Sequence, residues 1–417
     1  MVYEDLEYMK TLPNYQKYLN GGAEVKKIRS IYPTVTYPAH ASMASGSYPA
    51  SHGVISNTVF DPGNIESDWY WFHKTMEGRD IFDVAKQKGL VTASIFWPVT
   101  AGHPSIDYLI PAYWTQNPDE TVFDAHRRAG VNETMIRIME SHKEGWKEKQ
   151  PPEFDQFKIS CACDVLKKFK PDVLFVHPTN IDDYRHKYGV FNDKVNQGVR
   201  ETDEWIGQIM RTLEETGALE ETNFFLVSDH GQIDTKRIIN VNVLLADAGL
   251  IRVDENGGIA SWDAYCHSNG MSSLVYLRNS GDCKLLGKVG NLLNHLCEEG
   301  IYGIGRVFTR QEVLETEHLN GDFSFVLDSD GYTAFREGWM RPLLKNFEFN
   351  DYRYGRATHG YYPDKGPQPF LLAKGPAIRD GVVLEERPIV DEAPTYARIM
   401  RIELPEAEGK CIEDILK

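Results

Sequence analysis

Short apolar runs alternate with amphipathic stretches in the first half of the chain. Val173–Val176 and Phe224–Val227 are continuous apolar runs of strand length, and Val91–Phe96 is a third strand-like segment. Between the first two runs, apolar residues recur at helical spacing from Val195 to Leu213. Strands that alternate with helices are typical of a parallel sheet covered by helices on both faces. The pattern therefore predicts an α/β core with a mostly parallel sheet.

The pattern changes between residues 232 and 356. Three segments in this region resemble strands, and the segment from Lys284 to Glu299 has the apolar spacing of a helix; the strand-like segments are Ser272–Leu277, Arg306–Phe308 and Phe323–Leu327. These elements predict a smaller α+β insertion at 232–356, within a core formed by residues 1–231 and 357–417. A final amphipathic segment, 389–400, predicts a helix that closes the sheet.

Metal-type ligands follow two of the predicted strands, where an open α/β sheet commonly builds its sites. Asp182 and His186 are four residues apart, which places them on one face of a helical turn. Asp229 and His230 are adjacent, so on an extended segment they would point in opposite directions. They could ligate two cations or hold one from a turn. Each pair taken alone also fits an ordinary polar loop.

Composition limits the kinds of partner that the chain is expected to bind. The 417 residues include 45 Lys and Arg against 61 Asp and Glu, giving a net charge of −16, and no basic block appears. This balance argues against long nucleic acid, while a small anionic ester remains compatible, because bound cations can reverse the local field. No run approaches the ~18 apolar residues of a membrane helix. The absence of a leader favours a cytoplasmic location, with export left open because the chain's start looks incomplete. The six scattered cysteines predict reduced thiols.

A set of short motifs, in this chain order, resembles the alkaline phosphatase superfamily, and within it the nucleotide pyrophosphatase/phosphodiesterase branch. The resemblance runs from about residue 4 to the C-terminus. Its motifs are Thr36-Tyr37-Pro38-Ala39-His40, Gly46-Ser47-Tyr48-Pro49-Ala50-Ser51-His52-Gly53, Asn57, the Asp182 to His186 pair, Asp229-His230-Gly231 and Thr358-His359-Gly360.

The resemblance implies two divalent ions, by analogy Zn²⁺. One would be held by Asp182, His186 and His359, and the other by Asp229 and His230 together with Thr36. Histidine and aspartate ligands alone would also accept Mn²⁺ or Fe²⁺. His40 and His52 are expected to be structural, because this ligand set is complete without them.

The resemblance makes Thr36 the nucleophile. A threonine hydroxyl is not nucleophilic at neutral pH, and metal coordination is one way to activate it. Asn57 would bind substrate and donate to phosphoryl oxygens as a catalytic group, although it could also be a turn residue. Tyr37 would offer a ring on which a base can stack, or would instead be a buried anchor of the turn.

The expected reaction is metal-dependent hydrolysis of phosphodiester or pyrophosphate bonds in small nucleotide-like substrates, through a covalent threonine intermediate. The alternatives are a phosphomonoesterase or phosphonate hydrolase of the same superfamily, and a catalytically impaired binding paralogue. The sequence leaves the physiological substrate and the oligomeric state open.

One ligand of the family's pattern is not in the sequence. The family begins with a strand that ends in a metal-binding Asp, some three dozen residues before the nucleophile. Counting back from Thr36 places that Asp upstream of residue 1, so we expect a first strand and a sixth ligand to be missing. Glu4 or Asp5 could replace the ligand, but both lie where the next helix is expected to begin, and acidic residues suit a helix N-terminus.

Overall fold

A computed structural model describes residues 1–147, 150–346 and 355–417. Its α-helices are α1 Tyr3–Met9, α2 Thr36–Ser45, α3 Pro49–His52, α4 Ile81–Gln87, α5 Val122–Arg128, α6 Glu133–Ser141, α7 Glu153–Phe169, α8 Asn180–Tyr188, α9 Asp193–Thr216, α10 Val241–Asp247, α11 Cys283–Glu298, α12 Arg310–Glu317 and α13 Glu392–Met400. Its strands are β1 Ala23–Arg29, β2 Thr92–Ile95, β3 Tyr108–Ile110, β4 Val173–Val176, β5 Phe224–Val227, β6 Ile233–Asp234, β7 Arg237–Asn240, β8 Ile251–Val253, β9 Ile259–Trp262, β10 Ala264–Ser268, β11 Ser272–Leu277, β12 Ile304–Thr309, β13 Phe323–Ser329, β14 Thr333–Arg336, β15 Leu344–Lys345, β16 Ala357–Thr358, β17 Leu371–Lys374 and β18 Val383–Pro388.

The core strands form two sheets, with strand orders β3-β2-β4 and β18-β1-β17-β5. The first sheet is parallel throughout, and β1 is also parallel to β18. Strand β17 runs antiparallel to both β1 and β5. Three of these five pairings are therefore parallel, and β17 introduces the antiparallel ones.

Helices cover both faces of these sheets. On one face, Leu174 of β4 and Leu226 of β5 join an apolar cluster with residues of α1, α7 and α9. On the other face, Phe175 and Phe225 pack against Tyr396 of α13, with ring centroids 5.8 and 4.9 Å apart. Alternate residues of β4 and β5 thus face opposite helix layers, as expected for buried strands.

Helix α9 illustrates how the sequence defines these layers. It begins after Asn192, whose side chain accepts hydrogen bonds from the backbone N–H groups of Lys194 and Val195, and it ends at Gly217 with φ of 72°. Its apolar residues are spaced to form one stripe, and this stripe is buried; it includes Val195, Val199, Ile206, Met210 and Leu213. The amphipathic pattern of the sequence is thus turned towards the core.

The region from 232 to 356 has a sheet and an apolar cluster of its own. Its main sheet is antiparallel, with order β10-β11-β13-β12, and α11 packs against it through buried Val289, Leu293 and Leu296. The β10–β11 hairpin turns at Asn269-Gly270, and the N–H of Met271 donates to the His359 carbonyl at 2.9 Å. The tip of the hairpin therefore reaches the loop that carries one predicted metal ligand. The proposed division into two domains stays a prediction.

Two further expectations concern the chemistry of the chain as a whole. All six cysteines are free thiols, in agreement with the sequence. Within the described ranges, no helix is both long enough and apolar enough to span a bilayer.

Candidate active site

Thr36 is the first residue of α2, which starts after the extended residue Val35. Its Oγ1 lies 3.1 Å from Nε2 of His230. The first N–H groups of a helix have no partner within the helix, and together with the helix dipole they favour a bound anion. The N-terminus of α2 thus brings the predicted nucleophile to a position that can receive a phosphoryl group. His40, one turn further on, contacts the Thr36 carbonyl through Nδ1 at 2.8 Å.

Asn57 lies beside this helix start. Its Oδ1 accepts the N–H of Tyr37 at 2.8 Å, so its Nδ2 is the amide atom left to act as a donor. Tyr37 is buried, with its ring 5.1 Å from that of Trp69, and it also lines the central pocket. Both sequence interpretations of Tyr37 are compatible with this position, and its role in stacking a base stays a prediction.

The first predicted ligand set comes from α8 and the loop after β16. Nε2 of His186 lies 3.3 Å from Oδ2 of Asp182, and Nδ1 of His186 donates to the Ala357 carbonyl at 2.8 Å. This second hydrogen bond leaves Nε2 as the atom that can bind a metal. The His359 ring is 5.2 Å from that of His186. The structure therefore brings these three residues together.

The second predicted set follows β5. Oδ2 of Asp229 lies 3.1 Å from Nε2 of His230, and Nδ1 of His230 donates to the Gly231 carbonyl at 3.1 Å. Nε2 of His230 is thus directed towards Thr36. Gly231 is required here, because a Cβ at this position would lie 2.1 Å from the Pro367 carbonyl oxygen.

The two sets are closely joined. The His230 and His359 rings are 4.1 Å apart, and ligand atoms of Asp182, His230 and His359 all lie within 4.8 Å of one another. This three-residue cluster therefore combines members of both predicted sets. The sixth ligand expected upstream stays a prediction. Of its possible substitutes, Asp5 is occupied by Arg185, whose Nη2 is 2.7 Å from both carboxylate oxygens.

Electrostatics favour cation binding at this cluster. Burial alone would raise the pKa of Asp182, but the nearby His186 imidazole outweighs it and holds that pKa well below its usual range. Burial, together with His230, holds the pKa of His359 well below its usual value. His359 is therefore neutral, and its buried Nδ1 has no hydrogen-bond partner among the described residues. Although burial alone would lower the pKa of His186, the contact with Asp182 raises that pKa, so His186 would release a proton when an ion binds. Ionised carboxylates and neutral imidazoles are the protonation states that bind a divalent ion, and Asp182 and His359 fit such an ion directly.

Several residues of the site were not predicted from the sequence. Gln232 donates from Nε2 to Oδ1 of Asp182 at 2.5 Å and to its carbonyl at 3.1 Å, which orients that carboxylate. Asp183, the neighbour of the predicted ligand Asp182, lines the pocket, and burial followed by the charge of Asp182 raises its pKa to about 7. Lys158 is a buried pocket residue held by Oδ1 of Asp155 at 2.8 Å. Of these residues, only Gln232 could have been found from the sequence, because it directly follows the Asp-His-Gly motif.

The lining of the pocket around Thr36 has two chemically different parts. One part is aromatic, with Tyr37, Trp69, Phe96, Trp114 and Phe154. Another part of the lining comes from the 232–356 region and is polar, with Ser268, Asn269, Gly270 and Glu337. The pocket thus offers both apolar and polar surface to the substituents of a phosphoryl group at Thr36.

A second group of potential metal ligands lies outside the pocket. It consists of His73, Asp80, Asp83 and His103. The Ser105 N–H donates to Nδ1 of His103, so the proton of a neutral His103 is on Nε2, 3.0 Å from Asp80. His103 is therefore already satisfied as a hydrogen-bonding residue, which favours a structural network around the start of α4.

Residues 2–361 match the family described as type I phosphodiesterase/nucleotide pyrophosphatase. The chain belongs to this family. The resemblance recognised from the sequence motifs is thereby confirmed.

The chain is similar to curated members of this family. It is 26% identical over 264 residues to ectonucleotide pyrophosphatase/phosphodiesterase family member 1 of Homo sapiens, an alignment that covers 59% of this chain and 24% of that protein. It is 26% identical over 226 residues to venom phosphodiesterase 2 of Crotalus adamanteus, covering 53% of this chain and 24% of that protein. The chain thus spans about a quarter of the length of these relatives.

Solved structures give the fold. Murine ectonucleotide pyrophosphatase/phosphodiesterase 5 matches with a TM-score of 0.68 at 16% identity, covering 100% of this chain and 97% of that chain. The human protein of the same name gives 0.66 at 16% identity, covering 97% and 94%. These matches confirm the expected α/β fold of the alkaline phosphatase type.

The expected cytoplasmic location is wrong. The relatives are named as ectonucleotide enzymes or as venom enzymes. The inference had rested on the absence of a leader, which is a weak guide to where a chain is located.

Proposed function

We propose that this protein is a metal-dependent hydrolase of phosphodiester or pyrophosphate bonds that uses Thr36 as its nucleophile. The observation that carries the proposal is the position of the Thr36 hydroxyl at the start of α2, 3.1 Å from His230 and beside the Asp182–His359 cluster. A hydroxyl, a helix N-terminus and a group of metal-type ligands at one point are the parts that phosphoryl transfer needs.

The residues would hold two ions, by resemblance Zn²⁺. Asp182, His186 and His359 would hold one, and Asp229, His230 and Thr36 the other. Bound divalent ions would supply Lewis acidity and lower the pKa of the threonine hydroxyl. The Nδ1–H bonds of His186 and His230 to backbone carbonyls support these roles, because they fix the tautomer that leaves Nε2 as ligand.

Residues of the chain itself would carry out the covalent steps and stabilise the developing charge. Oγ1 of Thr36 would give up its proton and form a bond to phosphorus while the bond from phosphorus to the leaving-group oxygen breaks and that oxygen takes up a proton. Water would then attack phosphorus and break its bond to Oγ1, which regains a proton. The Thr36 N–H and Nδ2 of Asn57 would donate to the phosphoryl oxygens, whose charge grows in the transition state, since the Tyr37 N–H is already bonded to Asn57 and Pro38 has no N–H. Nδ1 of His40 lies 2.8 Å from the Thr36 carbonyl oxygen and 3.5 Å from Oδ2 of Asp229. His40 would thereby fix the position of the nucleophile Thr36 relative to the ligand Asp229.

A small nucleotide-like ester is the proposed substrate. An inactive variant of murine ectonucleotide pyrophosphatase/phosphodiesterase 5, with a threonine changed to alanine, is described in complex with AMP. The aromatic part of the lining, with Tyr37, Trp69 and Trp114, supports a base or other flat group as one substituent of the phosphate. A pocket with both aromatic and polar lining favours a diester over a monoester, because a monoester would leave one part of the lining without a substituent.

The test compares a nitrophenyl nucleotide diester with a nitrophenyl phosphate monoester, using Zn²⁺-loaded protein and metal analysis of the same sample. We expect two ions per chain and a higher kcat/KM for the diester. A higher kcat/KM for the monoester would replace the proposal with a phosphomonoesterase. Protein that binds no metal and hydrolyses neither ester would indicate a binding paralogue.

A further inference from the structure

The tip of the β10–β11 hairpin is fixed to the metal-ligand loop. The N–H of Met271 donates to the His359 carbonyl at 2.9 Å, and a Cβ at Gly360 would lie 1.6 Å from the Asn269 carbonyl oxygen. The two backbones therefore pack without room for a side chain between them. Asn269 is thereby held beside His359 and lines the same pocket as Thr36 and Asn57.

Neighbouring hydrogen bonds determine how the Asn269 amide is oriented. Nδ1 of His267 lies 3.0 Å from Oε1 of Glu337, and its Nε2 faces the Thr58 carbonyl at 3.1 Å. A carboxylate and a carbonyl both only accept, so the two contacts are made together by a protonated His267 ion-paired with Glu337, whose Nε2 donates to Thr58 and does not accept from Ser56. The Ser56 hydroxyl is then available to donate to Oδ1 of Asn269, which lies 2.7 Å away.

This orientation leaves Nδ2 as the free donor of Asn269, a residue that lines the pocket. The residue is only 5% exposed, and its Nδ2 has no acceptor within the described part of the chain. A buried donor without a partner costs about 1–3 kcal/mol. Such a cost is offset when a ligand supplies the acceptor.

Asn57, which lines the same pocket, shows the same arrangement. Its Oδ1 is held by the Tyr37 N–H at 2.8 Å, so that its Nδ2 is the remaining donor. The two amides are connected through the chain, because Ser56, which orients Asn269, directly precedes Asn57. One amide comes from the core and the other from the 232–356 region, and both have the carbonyl side fixed by the protein.

We infer that Asn269 is a substrate-positioning residue whose Nδ2 donates to a non-bridging oxygen of the phosphoryl group, as a second amide beside Asn57. The inference rests on the proposed function of the Thr36 site. It assigns a role to the 232–356 region, which supplies a donor to the phosphoryl group in addition to forming part of the pocket lining. The competing explanation is that Asn269 only anchors the hairpin through Ser56.

The test uses Asn269→Ala and Asn269→Asp, with Asn242→Ala as the matched control. Asn269→Asp keeps an acceptor for Ser56 but removes the donor. Asn242 is a fully buried asparagine whose amide is bonded on both sides to backbone groups of Cys266 and Glu337, so its role is structural. Zn²⁺ content, thermal midpoint, kcat/KM for the nitrophenyl nucleotide diester and affinity for inorganic phosphate are measured for each protein.

Both Asn269 variants should lose roughly 100-fold or more in kcat/KM, the usual effect of removing one oxyanion donor. Their affinity for phosphate should fall about tenfold or more, because hydrogen bonds to charged groups are strong. Zn²⁺ content should not change, and the thermal midpoint of Asn269→Ala should fall less than that of Asn242→Ala, because loss of the Ser56 hydrogen bond is partly offset by removal of an unpaired buried donor. Asn242→Ala should instead lower the midpoint.

Three results would overturn the inference. The first is wild-type kcat/KM and phosphate affinity in Asn269→Ala. The second is a fall in its midpoint as large as that of Asn242→Ala, with full activity per folded molecule. The third is absence of phosphate binding in the wild type, which would also remove the proposed function. If no protein hydrolyses the diester but Asn269→Ala still weakens phosphate binding, the reaction is refuted and the contact stands.

Discussion

Gly360→Ala should disrupt the contact between the hairpin and the metal-ligand loop. Gly360 has φ of +91°, and its N–H lies 3.0 Å from the Thr34 carbonyl oxygen and 3.1 Å from Thr34 Oγ1. The added Cβ would lie 1.6 Å from the Asn269 carbonyl oxygen, whereas real Cβ contacts below 3.0 Å essentially never occur. The atoms must therefore separate by at least 3.0 − 1.6 = 1.4 Å. That movement would displace His359 from the other ligands.

The expected loss of folding stability in Gly360→Ala has two parts. A non-glycine residue with a left-handed backbone costs roughly 1–2 kcal/mol, and overpacking against backbone adds about 1–3 kcal/mol. The expected loss of folding stability is therefore about 2–5 kcal/mol. Gly381→Ala is the matched control, because Gly381 also has positive φ, of +71°, but its Cβ would meet no heavy atom of the described residues within 4 Å. It should show only the backbone part.

Urea unfolding of the wild type and both variants measures the stability difference, and kcat/KM for the diester reports on the site. Gly360→Ala should be less stable than Gly381→Ala and should lose most of its activity, while Gly381→Ala should retain it. Equal stability and equal activity of the two variants would refute the close contact between the hairpin tip and the ligand loop.

The other predictions concern the metal ligands and a buried histidine. His359→Ala and His186→Ala should each weaken the same ion, and His230→Ala the other, in metal analysis of the purified variants. If His359→Ala and His230→Ala lose one ion and His186→Ala the second, the pairing is wrong. Burial lowers the pKa of His52 to about 3 from 6.5. Its contribution to stability is thus present above pH ~6.5 and is lost as the pH falls towards 3, by roughly 3 kcal/mol at pH 4. In metal-free protein, urea midpoints of His52→Gln should fall less between pH 7 and pH 4, and an unchanged pH dependence would contradict this.

The sequence predicted the buried strands well because their composition alone identifies them. The predicted bounds of Val173–Val176, Phe224–Val227 and Ser272–Leu277 agree with β4, β5 and β11. Strand β1, Ala23–Arg29, was not predicted, since it contains Glu24, Lys26 and Lys27, residue types that are depleted in strands. Strand β17, Leu371–Lys374, was not predicted either, and its antiparallel direction could not be, because strand direction depends on the path of the connections and has no signature within the strand.

Some residues of the candidate site could likewise be predicted from the sequence, and others could not. Thr36, Asn57, Asp182 and the histidines lie in short motifs whose order along the chain carries the information. Asn269 lies in an Asn-Gly turn, which indicates a hairpin but not which part of the core its tip will contact. Contacts between segments distant in sequence, such as the approach of His230 to His359 at 4.1 Å, follow from the tertiary fold and were available only by resemblance.

The most direct test of the central claim is the turnover rate of Thr36→Ala at saturating Zn²⁺. Thr216→Ala serves as the control, since Thr216 lies at the end of α9 and its hydroxyl bonds only to backbone carbonyls of its own helix. The account predicts that Thr36→Ala retains most of its metal but loses at least three orders of magnitude in rate, about 4 kcal/mol or more at 1.36 kcal/mol per tenfold. A diesterase rate near that of the wild type, in protein shown by mass spectrometry to carry the substitution, would contradict the covalent threonine mechanism.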